Sequence, residues 1–172
     1  MKPLPFQISP QNADEIFMLE ALKEAWKGFQ KGEVPVGAVV VKNGKVIARS
    51  HNQVEMLKDA TAHAEMLCIT VAEAHEENWR LKGATLYATL EPCSMCAGAL
   101  LLSRVDRLVY GAPDIRHGAC GSWVDLFEKP HPTHSIEIVR GILQEESATL
   151  MRDFFKKRRL ENEGAINGSE PA

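Results

Sequence analysis

Apolar spacing along the chain alternates between two periods. Ile16, Leu19, Leu22, Trp26 and Phe29 recur every three or four residues, and Asn12 followed by Glu15 has the form of a capping box, which predicts a helix running up to Gly32. Val36 to Val41 is then a short continuous apolar run, separated by Lys42-Asn43-Gly44-Lys45 from Val46-Ile47-Ala48. An Asn-Gly pair between two such runs predicts a hairpin. Ala62 to His75 returns to helical spacing, with Thr61 available as its cap, and Ala84 to Leu90 alternates and is rich in strand formers. Pro92 suits the first turn of a further helix over Cys93 to Ser103. Arg107 to Tyr110 and Ile136 to Val139 are the remaining strands, either side of a loop rich in Gly, Pro and His. A final helix from Ser147 carries Leu150, Met151, Phe154 and Phe155, with Leu160 beyond. The order α-β-β-α-β-α-β-β-α predicts an α/β fold whose mixed sheet of about five strands is covered by helices.

Composition narrows this picture. A chain of 172 residues with 45% hydrophobic and 25% charged content is an ordinary globular one, long enough for one domain with a real core. Residues 161–172 are polar and Gly-containing, so the domain is expected to occupy 1–160 and the remainder to be disordered. No apolar run approaches the ~20 residues of a membrane helix and the first ten residues carry no targeting pattern, which points to the cytoplasm. Cys68 and Cys120 have the surroundings of buried, unreactive thiols, and the other two cysteines form Cys93-x-x-Cys96; reduced thiols fit this distribution better than disulfides. A net charge of −3 offers nucleic acid no global attraction, so a polyanionic partner would have to be met locally, and Lys156-Lys157-Arg158-Arg159 is the candidate.

The chemistry lies in two short stretches, His63-Ala64-Glu65 and Pro92-Cys93-Ser94-Met95-Cys96. One His and a Cys-x-x-Cys pair make a nitrogen and sulfur donor set suited to zinc, and no further Cys or His has the spacing of a fourth ligand. Three ligands with a carboxylate close by leave room for a water and describe a catalytic site. Residues two apart on a helix face opposite ways, so His63 and Glu65 can serve one ion only if it sits over the open end of the helix. The spacing therefore predicts that two helix N-termini converge on the metal, where their dipoles favour the thiolates of Cys93 and Cys96. Glu91 is placed to accept a hydrogen bond behind the ligands. His131 and His134 lie in a Pro-containing loop without a third ligand and are expected to be solvated, and Met66 and Met95 to be packing residues.

His-x-Glu with Pro-Cys-x-x-Cys resembles the zinc-dependent nucleoside and nucleotide deaminases. Glu33 to Val39, Thr61 to Glu65, Thr89 to Cys93, Met95 to Ala99, Gly111 to Asp114 and Asp153 to Phe155 further resemble the tRNA adenosine deaminases of bacterial type. The resemblance implies a three-layer α/β/α cytidine-deaminase-like fold, a homodimer, one zinc per subunit on His63, Cys93 and Cys96, and conversion of adenosine to inosine at the wobble position of a tRNA anticodon. Glu65 would carry protons from the attacking water to the purine ring and the leaving amine. Asn52 would hydrogen-bond the flipped base, Ala64 would present its backbone N–H near the reacting atom, and Val34, Pro35, Val36 and Leu90 would wall the base pocket. Asp114 would lie beside a flanking ribose, Arg116 would meet phosphate, and Phe155 with Lys156 to Arg159 would contact the anticodon loop. Cys120, Trp123 and the polar tail find no counterpart in the resemblance. Two other readings stand beside this one: a deaminase of free cytosine, cytidine or guanine, and a non-catalytic RNA-binding or zinc-structural protein.

Overall fold

The computed structural model describes residues 3–167. It contains α1 (Ala13–Gln30), β1 (Gly37–Lys42), β2 (Lys45–His51), a short α2 (Val54–Leu57), α3 (Ala64–Glu76), β3 (Ala84–Leu90), α4 (Ser94–Leu102), β4 (Arg107–Ala112), β5 (Glu137–Arg140) and α5 (Gln144–Asn167). The strands form one sheet in the order β2-β1-β3-β4-β5. β1 pairs antiparallel with both β2 and β3, and β3, β4 and β5 run parallel, so the predicted mixed five-stranded sheet is present. The hairpin turns where the Asn-Gly pair places it, with φ of 51° at Asn43 and 72° at Gly44, the two left-handed positions of a type I′ turn.

Alternate strand residues face opposite layers. Ala38, Val40, Leu86, Ala88, Leu108 and Tyr110 pack with Cys68, Ile69 and Ala72 of α3 and Leu100 of α4. Val39, Val41, Tyr87 and Val109 pack with Met18 and Ala21 of α1, and Leu150 of α5 packs on Leu22 and Ala25 of α1. Burial on both faces explains why β1 reads as a continuous apolar run.

The packed face of α1 only partly coincides with the one read from its apolar spacing: Leu22 lies on both, and Trp26 packs beside it. Met18, Ala21, Leu22, Ala25 and Gly28 are buried while Ile16 is exposed. Small residues let the helix backbone settle onto β1: a Cβ at Gly37 would overlap the Ala21 carbonyl and the Ala25 amide. Size, which a hydrophobicity pattern does not weigh, decides the face.

Four further local differences have physical causes. α3 starts at Ala64 with His63 as N-cap, because Thr61 turns its N–H and hydroxyl onto Asp59 Oδ1 (2.8 and 2.7 Å) instead of capping the helix. α2 has too few residues for a periodic signal. α5 begins three residues earlier than its apolar pattern. It also continues to Asn167, past residue 160 where an ordered chain was expected to end. Glu161 supports the extension by pairing with Lys157 at 3.8 Å and Arg158 at 3.6 Å. Residues 168–172 of the expected disordered tail lie outside the described residues.

Candidate metal centre and its cavity

His63 and Cys93 are both N-cap residues, of α3 and α4, and neither side chain caps its own helix. They turn towards one another, and Cys96 joins them from the first turn of α4. His63 Nδ1 lies 3.6 Å from each sulfur, and the two sulfurs are 3.7 Å apart. A zinc ion with bonds of about 2.3 Å to sulfur and about 2.0 Å to nitrogen at tetrahedral angles requires edges of about 3.8 and 3.5 Å. The donor set fits zinc in kind and in spacing. Among the described residues, no fourth His, Cys, Asp or Glu joins the group. The convergence of two helix N-termini predicted from the sequence is therefore what the fold builds.

Glu65 stands in the first turn of α3, buried, and burial pushes its carboxyl up to about 7. The Cys93 thiol is drawn down to about 4, first by the hydrogen bond from Cys96 and then by His63, and the same bond holds the Cys96 proton more tightly. Cys68 and Cys120 are buried with thiols pushed up by desolvation, Cys120 to about 12, so both are unreactive. His134 Nε2 faces the Val105 carbonyl at 2.6 Å and His131 bonds within its own turn to Thr133, both away from the metal ligands.

Two buried glutamates organise the surroundings. Glu33 accepts from Asn52 Nδ2 at 3.2 Å and from the amides of Glu55 and Met56 at 3.1 and 2.7 Å, joining Asn52 to α2. Sequence reading missed it; its one signal was an acidic residue heading the apolar Val34-Pro35-Val36 segment. Glu91 takes the amides of Asp114 (3.0 Å), Cys120 (2.9 Å) and Ser122 (3.2 Å), together with the Ser122 hydroxyl. A Cβ at Gly118 would overlap this carboxylate. Gly118 also forms a β-bridge with Cys93, and the Ala119 amide donates to the Pro92 carbonyl at 2.9 Å. The loop after β4 is thereby fastened to the strand end that carries a metal ligand.

A cavity of about 1320 Å³ opens from this centre. Val34, Val36, Asn52 and Leu90 line it with His63, Glu65 and Cys93; Asp114, Arg116 and Phe155 line it as well, with Lys156 and Arg159. Pro35 and Ala64 are buried and are not among the residues that line it. Ala64, first residue of α3, has an N–H with no acceptor within its helix. Sequence reading did not include Ile115, His117, Trp123, Met151 and Arg152, which also line the cavity. Asp114 is engaged locally, its Oδ1 accepting the amides of Arg116 (3.0 Å) and His117 (3.2 Å).

The sequence model of the cytidine and deoxycytidylate deaminase zinc-binding region matches residues 11–112. The chain is 49% identical over 152 residues to a tRNA-specific adenosine deaminase of Bacillus subtilis (strain 168), covering 88% of this chain and 94% of that protein. It is 51% identical over 164 residues to a chloroplastic tRNA(adenine(34)) deaminase of Arabidopsis thaliana, covering 86% of this chain and only 12% of that far longer protein. A solved structure from a study of A-to-I editing by tRNA:A34 deaminases at the wobble position of transfer RNA superposes with a TM-score of 0.75 at 46% identity, covering 78% of this chain and 98% of that one.

Proposed function

The chain belongs to the zinc-binding cytidine and deoxycytidylate deaminase family, and we propose that it hydrolyses adenosine to inosine at the wobble position of a tRNA anticodon. The observation that carries this reading is the reach of the cavity. One continuous space joins the metal ligands to Phe155, Lys156 and Arg159 of α5, and at about 1320 Å³ it exceeds the ~300–1,000 Å³ usual for a small-molecule site. A free base has no use for the basic outer end, whereas an RNA loop fills it with phosphates. The names of the similar proteins support the same reading.

When bound by His63, Cys93 and Cys96, zinc supplies a Lewis acid that lowers the pKa of a water towards ~7. Glu65 is the proton carrier: it takes the proton of the attacking water, gives it to the purine ring, and then passes a proton to the amino group that leaves as ammonia. A C–O bond forms at the purine carbon as the ring nitrogen is protonated; the hydroxyl proton of that adduct then goes to the amino nitrogen as the C–N bond breaks, and no redox partner is needed. Asn52, oriented by Glu33, would hold the base edge, with Val34, Val36 and Leu90 against its faces and the Ala64 N–H near the reacting atom. Asp114 and Arg116 would meet the flanking ribose and phosphate, and Phe155 with Lys156 to Arg159 the rest of the loop.

We further infer a homodimer acting in the cytoplasm. An apolar groove between α3 and α4, lined by Met66, Ile69, Trp79 and Leu102 with Leu102 67% exposed, supports self-association. The four free cysteines support a reducing compartment. No helix among the described residues is long and apolar enough to cross a membrane. Light scattering should give twice the chain mass, falling to the single-chain mass in Leu102→Glu.

The deciding experiment incubates the zinc-loaded protein with a wobble-adenosine anticodon stem-loop and, in parallel, with free cytosine, cytidine and guanine, and reads products by mass. Inosine in the stem-loop, lost in Glu65→Ala with zinc retained, is the expected result. Faster turnover of a free base or nucleoside would replace this reading with the small-molecule one.

A further inference from the structure

One wall of the cavity carries a large aromatic side chain that the fold does not use. Trp123 lines the cavity and is 60% exposed. Among the described residues it joins none of the three apolar clusters and no aromatic or cationic pair. Trp79, the other exposed tryptophan, makes the contrast: the Arg80 guanidinium covers its ring at 3.7 Å, and it lies away from this cavity, in the α3/α4 groove. Trp123 has an open π-face instead.

The backbone beneath that ring is fixed. The Trp123 amide donates to the Gly118 carbonyl at 3.0 Å, Ser122 is bonded to Glu91, and Gly118 bridges to Cys93. Arg140 Nη2 adds a hydrogen bond to the Cys120 carbonyl at 2.8 Å. The indole is thus mounted at a set position relative to a metal ligand, as a rigid recognition element is and a loose surface residue is not.

We propose that Trp123 is a stacking platform for an unpaired RNA base flanking the nucleotide whose base enters the metal end of the cavity. The inference rests on the reading of the substrate as an RNA loop. Proteins that hold splayed single strands stack bases on aromatic side chains, which tolerate any base because every base has a π-face. Cations to hold the adjoining phosphates line the same cavity at Arg116, Arg152, Lys156 and Arg159. A free nucleoside has no second base to offer, so the platform separates an oligonucleotide from its monomer.

The test uses the full zinc-loaded chain, the intact wobble-adenosine stem-loop, and two stem-loops with an abasic site 5′ or 3′ of the adenosine. Trp123→Ala should raise KM for the intact stem-loop by about 5- to 150-fold with kcat and zinc content retained, and Trp123→Phe should keep most of the affinity. Binding should quench tryptophan emission in the wild type and much less in Trp123→Phe. One abasic stem-loop should bind the wild type as weakly as the intact one binds Trp123→Ala, with no added loss when the two changes are combined. Equal KM for Trp123→Ala and wild type overturns the proposal, as does an additive loss on both abasic stem-loops, or a change in oligomer mass with RNA affinity intact. A stem-loop bound but not deaminated refutes the proposed substrate and leaves quenching and the abasic comparison to decide stacking. A stem-loop not bound at all refutes both.

Discussion

At the inner end of the cavity each metal ligand is placed by the start of a helix: His63 and Cys93 are N-caps, Cys96 lies one turn on, and Glu65 is sealed beside them. At the outer end Phe155, Lys156 and Arg159 project exposed from one side of α5, with the Phe155 ring edge-on to Phe154 at 5.4 Å. The first arrangement sets the donor atoms at the spacing a zinc ion requires. The second presents charge and ring area that a flexible substrate can meet in more than one way. On the proposed reading, chemistry and recognition occupy one cavity under different tolerances, and substitutions at the two ends should fail differently.

The largest effect belongs to the metal. Cys96→Ala leaves two ligands and should remove bound zinc altogether, lowering deamination by far more than the ~10- to 100-fold that loss of an outer hydrogen-bond partner costs; metal analysis with a rate assay reads both, and retained zinc would show that the inner end is not as tightly determined as described. Next comes the fastening between the two regimes. Glu91→Ala strands the buried amide of Cys120 and removes the acceptor of the more accessible Asp114 and Ser122 amides, so denaturant unfolding should show a loss of roughly 1–3 kcal/mol. Smaller again are Lys156→Ala and Arg159→Ala, each expected to weaken stem-loop binding a fewfold with kcat unchanged and to reduce the slope of log affinity against log salt by about 0.7. An unchanged slope would mean that the outer end holds no phosphate.

The smallest effect tests the scaffold apart from either end. Asp14 takes two hydrogen bonds from Arg107 (2.7 and 2.8 Å) and one from the Tyr87 hydroxyl (2.8 Å), and the Arg107 bonds hold its carboxyl below the usual 3.8. A carboxyl whose pKa is lowered by folding stabilises the protein above its unfolded pKa, and that stability is lost as pH falls through the folded value. Asp14→Asn should therefore be less stable than wild type at neutral pH by about 1 kcal/mol, the gap closing below pH ~4, with activity unaffected throughout.

The elements of the inner end were legible because their signals are local. Pro92 and the Asn43-Gly44 turn each act on the backbone beside them, and the ligand spacing of His63, Cys93 and Cys96 required only that two helices begin where they do. Glu33 was missed, and Glu91 was read only as an acceptor and not as a clasp on the loop, because their partners are backbone amides 22 or more residues away, which leave no mark on the sequence. The face of α1 was read in part, through Leu22 and Trp26; Ala21, Ala25 and Gly28 escaped it because they pack by being small. Trp123 looked like an irregularity in a loop until the cavity placed its ring in the same space as the metal ligands.

The Glu91 clasp has a consequence for how this protein can vary. It grips the loop through the main-chain N–H groups of Asp114, Cys120 and Ser122, which every residue but proline supplies; a side chain at Gly118 would foul the clasp, and Gly121, at a φ of 120°, holds a backbone conformation that favours glycine. The path of the loop is therefore nearly independent of what the loop displays. Ile115, Arg116, His117 and Trp123 can be exchanged one at a time, with the metal ligands left in register, so substrate preference can drift along this rim while the reaction beneath it is inherited unchanged.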